Sequence, residues 1–314
     1  MEQRFLGRSG LSVSRLALGT MTWGRDTDEH EAEEQLSEFV NAGGTLIDTA
    51  FGYADGDSER LLGSLFGKAI NREDIILATK AGIFRKGREQ VTDTSRGHLI
   101  NALEESLRRL NTDHLDLWQV HIWSDLTPIE ETLSALEHAV SSGKARYAGI
   151  SNYSGWQTAQ AATLQRVLPG RTPLVSTQME YSLLNRDIED EVLPAADALG
   201  LGLLCWSPLG RGVLTGKYRS GTPVNSRGAS KAFANFVARY ADEHSRRIVE
   251  AVAKAAEGLE MSPLEVALLW IRDRPGVTSA IVGARTAEQL RASLATEHMT
   301  LPPEIITALE DVSR

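Results

Sequence analysis

Short apolar runs rich in β-branched residues recur along the chain, separated by stretches whose apolar positions repeat every three or four residues. The runs occupy residues 16–20, 45–50, 75–80, 115–121, 145–151, 174–180, 202–207 and 277–283, which makes eight strand candidates. Each is too short for a helix. Most are apolar at consecutive positions, as strands of a parallel sheet covered on both faces must be. Most starts lie about 30 to 40 residues apart, the span of one strand–helix–strand unit. The intervening helices carry their own punctuation. Thr127-Pro128-Ile129-Glu130 and Ser262-Pro263-Leu264-Glu265 read as capping boxes with proline at the first helical position. Ser154-Gly155-Trp156-Gln157 and Thr286-Ala287-Glu288-Gln289 read as boxes closed by glutamine. Leu99, Leu103, Leu107 and Leu110 lay an apolar stripe along one helix, and Asn41-Ala42-Gly43-Gly44 ends another.

This alternation predicts an α/β fold, a single (β/α)8 TIM barrel spanning residues 1–314 as one domain. Arg4-Phe5-Leu6 and Leu11-Ser12-Val13 flank Gly7-Arg8-Ser9-Gly10, which predicts an N-terminal β-hairpin closing the barrel floor. Residues 210–244 show no convincing period until about position 231. They hold the turn cues Ser220-Gly221-Thr222-Pro223 and Asn225-Ser226-Arg227-Gly228. A loop of that length inside a compact domain is expected to act as a lid.

Composition narrows the partners. Apolar residues make up 42% of the chain and charged residues 24%, as in ordinary globular proteins. Lys+Arg number 33 against 42 Asp+Glu, a net charge of -9 that disfavours nucleic acid and anionic membrane surfaces. The lone Cys205 excludes a disulfide framework or a cysteine-rich metal site. No run is long enough to span a membrane and the first residues lack a secretory pattern, so a cytoplasmic protein is expected. No close histidine pair marks a metal site. Gly210-Arg211-Gly212 lacks the third glycine of a dinucleotide fingerprint, and Gly216-Lys217 is followed by Tyr218 where a P-loop needs Ser or Thr.

Active sites of such barrels lie at the carboxyl ends of the strands. There the runs close on Thr20, Asp48-Thr49, Thr79-Lys80, His121, Ser151-Asn152, Gln178 and Trp206-Ser207. Any one of these has a structural reading: a helix cap, a snorkelling lysine, a satisfied core histidine. Together on one rim they point to chemistry, because burying Asp, Lys and His is expensive unless they pair or work.

Asp48, Tyr53, Lys80 and His121 resemble the catalytic tetrad of the aldo-keto reductases, in order and on the expected strands. The segment from Gly44 to Tyr53, the segment Gly149-Ile150-Ser151-Asn152 and the segment from Trp206 to Gly212 resemble further family signatures. The N-terminal segment from Arg4 to Ser14 is most similar to the branch that holds potassium-channel β subunits and many bacterial reductases. The resemblance implies NADPH-dependent reduction of a small carbonyl substrate. Tyr53 would donate the proton, with its phenol lowered by Lys80; Asp48 would hold Lys80, and His121 would donate to the carbonyl oxygen. It further implies that Trp206 stacks on the nicotinamide while Asp48, Ser151, Asn152 and Gln178 border it, with Thr20 and Met21 nearby. Ser207, Pro208, Leu209, Arg211, Lys217 and Arg227 would hold the pyrophosphate, and Gly283, Arg285 and Gln289 the 2′-phosphate end. Thr286 starts a helix beside Arg285, a ready anion site in its own right. Ala292 and Ser293 stand where relatives often carry Glu or Asp followed by Asn, which implies weaker adenine contacts. Helix and chain end soon after Pro303, at Arg314, which implies an open pocket.

Trp23, just past the first strand, and Trp123, two residues beyond His121, are expected to wall the substrate pocket with Tyr53. Apolar or aromatic aldehydes should then be favoured over sugars, and charged substrates should gain little, because Lys80, the only strong cation expected there, is already paired. A regulatory subunit that senses NADPH with weak reductase activity is the alternative. A Schiff-base aldolase using Lys80 is a third.

Overall fold

The computed structural model describes residues 1–314 except Asn225 and Ala232, so the turn read at Asn225 lies partly outside the described residues. Eight parallel strands close into a barrel: β3 (Leu16–Gly19), β4 (Leu46–Asp48), β5 (Ile76–Ala81), β8 (Leu115–Val120), β9 (Ala145–Ser151), β10 (Leu174–Glu180), β11 (Gly202–Trp206) and β12 (Val277–Val282). Closure is made by β12 pairing back onto β3, Ala280 opposite Leu16 and Val282 opposite Leu18. Every expected run is one of these strands, shifted by a residue or two at its ends. The ring outside holds α1 (Glu29–Asn41), α2 (Asp57–Leu65), α3 (Arg96–Arg109), α4 (Ile129–Ser141), α5 (Gly155–Val167), α6 (Val192–Leu199), α8 (Glu243–Gly258), α9 (Pro263–Arg272) and α10 (Ala287–Leu294). The short α7 (Ala234–Ala238) lies in the expected lid, and α11 (Pro303–Val312) packs on α8. Among the described residues no helix is long and apolar enough to cross a membrane.

Local chemistry explains most boundaries. Ser154 and Ser262 complete full capping boxes with Gln157 and Glu265. At Thr286 only half the box forms. Its hydroxyl accepts from the Gln289 amide, while the Gln289 side chain turns to the Arg285 amide at 3.1 Å. The box expected at Thr127 does not form. Pro128 sits in extended conformation (ψ 133°) as the cap itself, and its carbonyl takes the Glu131 and Thr132 amides.

The N-terminal hairpin, β1 (Gln3–Phe5) with β2 (Ser12–Ser14), fills the barrel floor. Leu6, Leu11 and Val13 pack there with Ala17, Leu46, Ala78, Leu117 and Leu204 from the strands. A larger apolar layer separates the barrel from its helices. Gly7 makes the plug possible. Its φ is +60°, and a Cβ would lie 2.4 Å from the Gly200 carbonyl oxygen and 2.5 Å from the Gly202 nitrogen. One layer above the floor the interior turns polar, with Asp48, Lys80, Gln119 and Gln178 all buried.

A second hairpin, β6 (Ile83–Lys86) with β7 (Glu89–Thr92), grows from the end of β5 and was not foreseen. Its charged tip hid the strand pattern, although Gly87 (φ +67°) between β-forming flanks is a turn signal. The Asp93 amide bonded to the Gly82 carbonyl at 3.0 Å closes its base.

Gly7→Ala should destabilise the chain by about 3 kcal/mol, since left-handed strain and overpacking add. Gly87→Ala, equally left-handed but with nothing within 4 Å, should cost about 1 kcal/mol. Urea titration of the two variants checks the difference; equal losses would show that the floor contact does not matter.

Candidate active site

Three adjacent strands and one turn place the tetrad. Asp48 ends β4, Lys80 lies in β5 opposite Gln119 of β8, and His121 follows β8 directly. Lys80 Nζ donates to Asp48 Oδ2 at 2.6 Å and to the Thr49 carbonyl at 2.8 Å. Gln178 Nε2 donates to the second oxygen, Asp48 Oδ1, at 2.8 Å. Both members of the pair are almost fully buried. The Tyr53 ring stands 5.2 Å from the Lys80 ammonium and 6.0 Å from the His121 ring, edge-on. The structure therefore brings all four residues together.

Burial depresses the His121 imidazole to about 3, and the Lys80 charge acts in the same direction. His121 is neutral across the physiological range, able to donate from one ring nitrogen. Burial also pushes the Tyr53 phenol up, outweighing Lys80, which pulls it down. This reverses the net direction expected from the sequence, where only the ammonium was visible. Burial pulls the Lys80 ammonium down, but Asp48 and Tyr53 more than compensate, and the net shift is upward.

The turn carrying Tyr53 is strained and clamped. Ala54, Asp55 and Gly56 follow it with φ of 48°, 55° and 96°. Arg109 of α3 donates to the Phe51 carbonyl at 3.0 Å and lies 4.5 Å from the centre of the Phe51 ring. Glu59 of α2, fully buried, holds Arg109 at 3.2 Å and accepts from the Thr79 hydroxyl at 2.7 Å. Sequence reading passed over Glu59 and Arg109. A glutamate one turn into a helix looks like a solvated face, and only its burial reveals the clamp.

Above the tetrad opens a cavity of about 880 Å³. Met21, Asn152, Gln178, Trp206, Ser207, Pro208, Leu209 and Arg211 border it, and so do Lys217, Arg227, Gly283, Arg285 and Gln289. Ala292 and Ser293 line it as well. Trp206 Nε1 donates to Asn152 Oδ1 at 3.0 Å, and Asn152 Nδ2 to the His121 carbonyl at 2.9 Å, which links three rim positions. Ala54, Asn152, Ser207 and Arg211 all line the cavity with positive φ, so backbone strain concentrates here. The lid folds down onto the site, its Phe236 ring lying nearly parallel to Trp206 at 6.4 Å.

Several expected contacts are placed elsewhere. Trp23 is fully buried, its Nε1 donating to Gln35 Oε1 at 3.1 Å against α1. Trp123 packs edge-on against Tyr153 and Trp156 and donates to Asp125, away from the cavity wall. The aromatic wall is built instead from Tyr53, Phe84, Trp206, Phe233 and Phe236. Thr20 is buried behind the rim and bonded to Ser58 at 2.8 Å, and the Ser151 hydroxyl donates to the Gln178 carbonyl at 3.0 Å. Arg211 lines the cavity but is committed to Glu180 through two bonds, at 2.8 and 2.6 Å, and to the Phe236 carbonyl. It ties the lid to the barrel and has little left for a phosphate. The start of α10 is also partly used, since Glu31 takes the Ala287 amide.

The cations that remain at that end are Lys217, Arg227 and Arg285. Burial first, then mutual repulsion, pulls Lys217 down, and Arg227 is likewise lowered by burial and by Arg285. No ion pair joins any of the three to a carboxylate among the described residues. Convergent cations lacking a counter-charge suit a phosphorylated ligand. Gly283 leaves the space a side chain would fill, 3.7 Å from an Arg227 nitrogen. The donor set therefore fits a phosphorylated cofactor.

A closed parallel barrel with this constellation at its carboxyl rim defines an oxidoreductase of the aldo/keto type, and the chain belongs to the aldo/keto reductase family, whose model matches residues 15–314. It is similar to the uncharacterized oxidoreductase YrpG of Bacillus subtilis, 38% identical over 99% of this chain and 96% of that one. It is also similar to a probable voltage-gated potassium channel subunit beta of Oryza sativa, 34% identical over 99% and 96%. Protein tas of Escherichia coli is 34% identical over 99% and 97%. These relatives lie in the branch that the N-terminal segment resembles.

A histidine held neutral by burial stabilises the fold less as pH falls. Between its unfolded value near 6.5 and its folded value of about 3, the unfolded chain binds a proton that the native chain does not. Stability thus rises with pH through that window. His121→Asn should lose less stability than the wild type between pH 6.5 and pH 4, measured by urea titration at each pH. Identical losses would mean that His121 is not held neutral.

Proposed function

We propose that the chain reduces aldehydes or ketones to alcohols with NADPH, and that Tyr53 gives the proton. The observation that carries this reading is the sealed Asp48–Lys80 pair beside Tyr53, with neutral His121 edge-on to the same ring. A carbonyl seated between Tyr53 and His121 meets two neutral donors. The dihydronicotinamide, when bound, supplies the hydride to the carbonyl carbon. The Tyr53 O–H then breaks as its proton passes to the oxygen, leaving an alcohol and a phenolate. Burial makes Tyr53 a weaker acid than a free phenol, so its proton moves only to the strongly basic alkoxide that hydride addition creates. Lys80 is then adjacent to the phenolate, and Asp48 keeps Lys80 charged. His121 donates to the same oxygen, a contact worth roughly 2 to 4 kcal/mol in such roles.

Trp206 and Phe236 would flank the nicotinamide; Lys217, Arg227 and Arg285 would hold the phosphates. Arg285 stands at the start of α10 and would read the 2′-phosphate as a charge-assisted fork.

Tyr53→Phe should lower kcat by roughly 10²-fold or more and leave NADPH affinity unchanged, since only the proton is removed. Turnover within a few-fold of the wild type, followed at 340 nm, would sink this role for Tyr53. Wild-type chain that binds NADPH but oxidises it with no aldehyde or ketone would support a sensor subunit instead. Arg285→Ala should weaken NADPH and spare NADH, measured by quenching of intrinsic fluorescence. Equal weakening of both would show that Arg285 does not contact the 2′-phosphate.

A further inference from the structure

We infer that the preferred substrate carries an anionic group, a carboxylate on a short spacer from the carbonyl, and that Arg85 of β6 receives it. The inference rests on the reduction proposed above and names its substrate class.

Arg25 and Arg85, which the sequence did not suggest, line the cavity with Arg211, Lys217, Arg227 and Arg285, and two of these six are ion-paired. Arg211 is tied to Glu180, and Arg25 pairs with Asp26 at 3.1 Å while stacking 4.2 Å from the Phe233 ring. Lys217, Arg227 and Arg285 gather at the phosphate end, close enough to shift one another. Arg85, an exposed residue, lines the same cavity from the hairpin that abuts the Tyr53 turn. Among the described residues it has no ion-pair partner, and no phosphate of the cofactor is proposed to lie there.

Its placement is built. The hairpin abuts the Tyr53 turn so closely that a Cβ on Gly52 would lie 2.5 Å from the Ile83 carbonyl oxygen. Phe84 stacks on His98 of α3 at 4.5 Å, which pins one face of the strand to the barrel. Ile83, Phe84 and Arg85 all border the cavity. Gln90, directly opposite Arg85 in the hairpin register, also lines the cavity and offers an amide donor. Ile83 lines the same cavity and adds an apolar surface that suits an aromatic or alkyl spacer. The expectation that charged substrates gain little took Lys80 as the only strong cation there, whereas Arg85 also lines the cavity.

The test compares kcat/KM for 4-carboxybenzaldehyde and 4-methylbenzaldehyde in wild type and in Arg85→Gln. Wild type should favour the carboxylate by about tenfold, the size of one charge-assisted contact at a solvated rim. Arg85→Gln should erase that preference through KM, with the methyl substrate within twofold of wild type, and added salt should erode it in wild type alone. An unchanged ratio in the variant, or a parallel loss for both aldehydes, would overturn the assignment. If neither aldehyde consumes NADPH, the reduction itself fails. Arg85 is then decided by calorimetry with 4-(hydroxymethyl)benzoate, which should bind wild type about tenfold more tightly than Arg85→Gln; equal affinity would overturn it.

Discussion

The site is organised around a charged pair that the barrel cannot avoid solvating from within. Asp48 and Lys80 lie one layer above an apolar floor, nearly sealed from solvent. Two ions so buried persist only if almost every polar atom finds a partner, because desolvation otherwise exceeds their attraction. Gln178, the Thr49 carbonyl and the short Asp48–Lys80 contact meet that demand. Each comes from a different strand or strand end, so the pair fixes the relative heights of β4, β5 and β10. Tyr53 and His121 inherit their positions from that alignment.

The clamp under the turn performs a complementary task. Positive φ at Ala54 and Asp55 is costly for residues with a Cβ and persists only where the surroundings over-determine it. Arg109 and Glu59 provide this through the Phe51 carbonyl and ring, while Thr79, the residue beside Lys80, donates to Glu59. Helices α2 and α3 therefore act on the phenol without touching it.

The barrel was legible because its signals are local and redundant. Eight apolar runs at regular spacing, two complete capping boxes and a glycine that only a plug could need all describe short-range physics. The tetrad was legible because strand ends place their residues on one rim. Side-chain destinations were not. Trp23 and Trp123 sit as near the rim in sequence as Trp206 does, yet each turns toward helices, with Gln35 and Trp156 as partners. Arg211 and Arg285 look alike as unpaired basic residues until Glu180, 31 positions from Arg211, is seen to claim one of them. The sign of the Tyr53 shift depends on burial, which no spacing reveals. The second hairpin escaped because charge at its tip masked a two-residue period.

That hairpin leaves the barrel and returns to it at a single closed doorway, where the Asp93 amide meets the Gly82 carbonyl. Its internal pairing, from Ile83 with Thr92 to Lys86 with Glu89, uses no barrel strand. Residues can therefore be added at or removed from its tip without disturbing register anywhere in the sheet. Neighbouring segments thus have opposite tolerances for change: Lys80 stands in a strand that admits no shift, while beyond the pinned Ile83 and Phe84 the hairpin tip can vary in length. New substrates can be explored there while the fold stays intact.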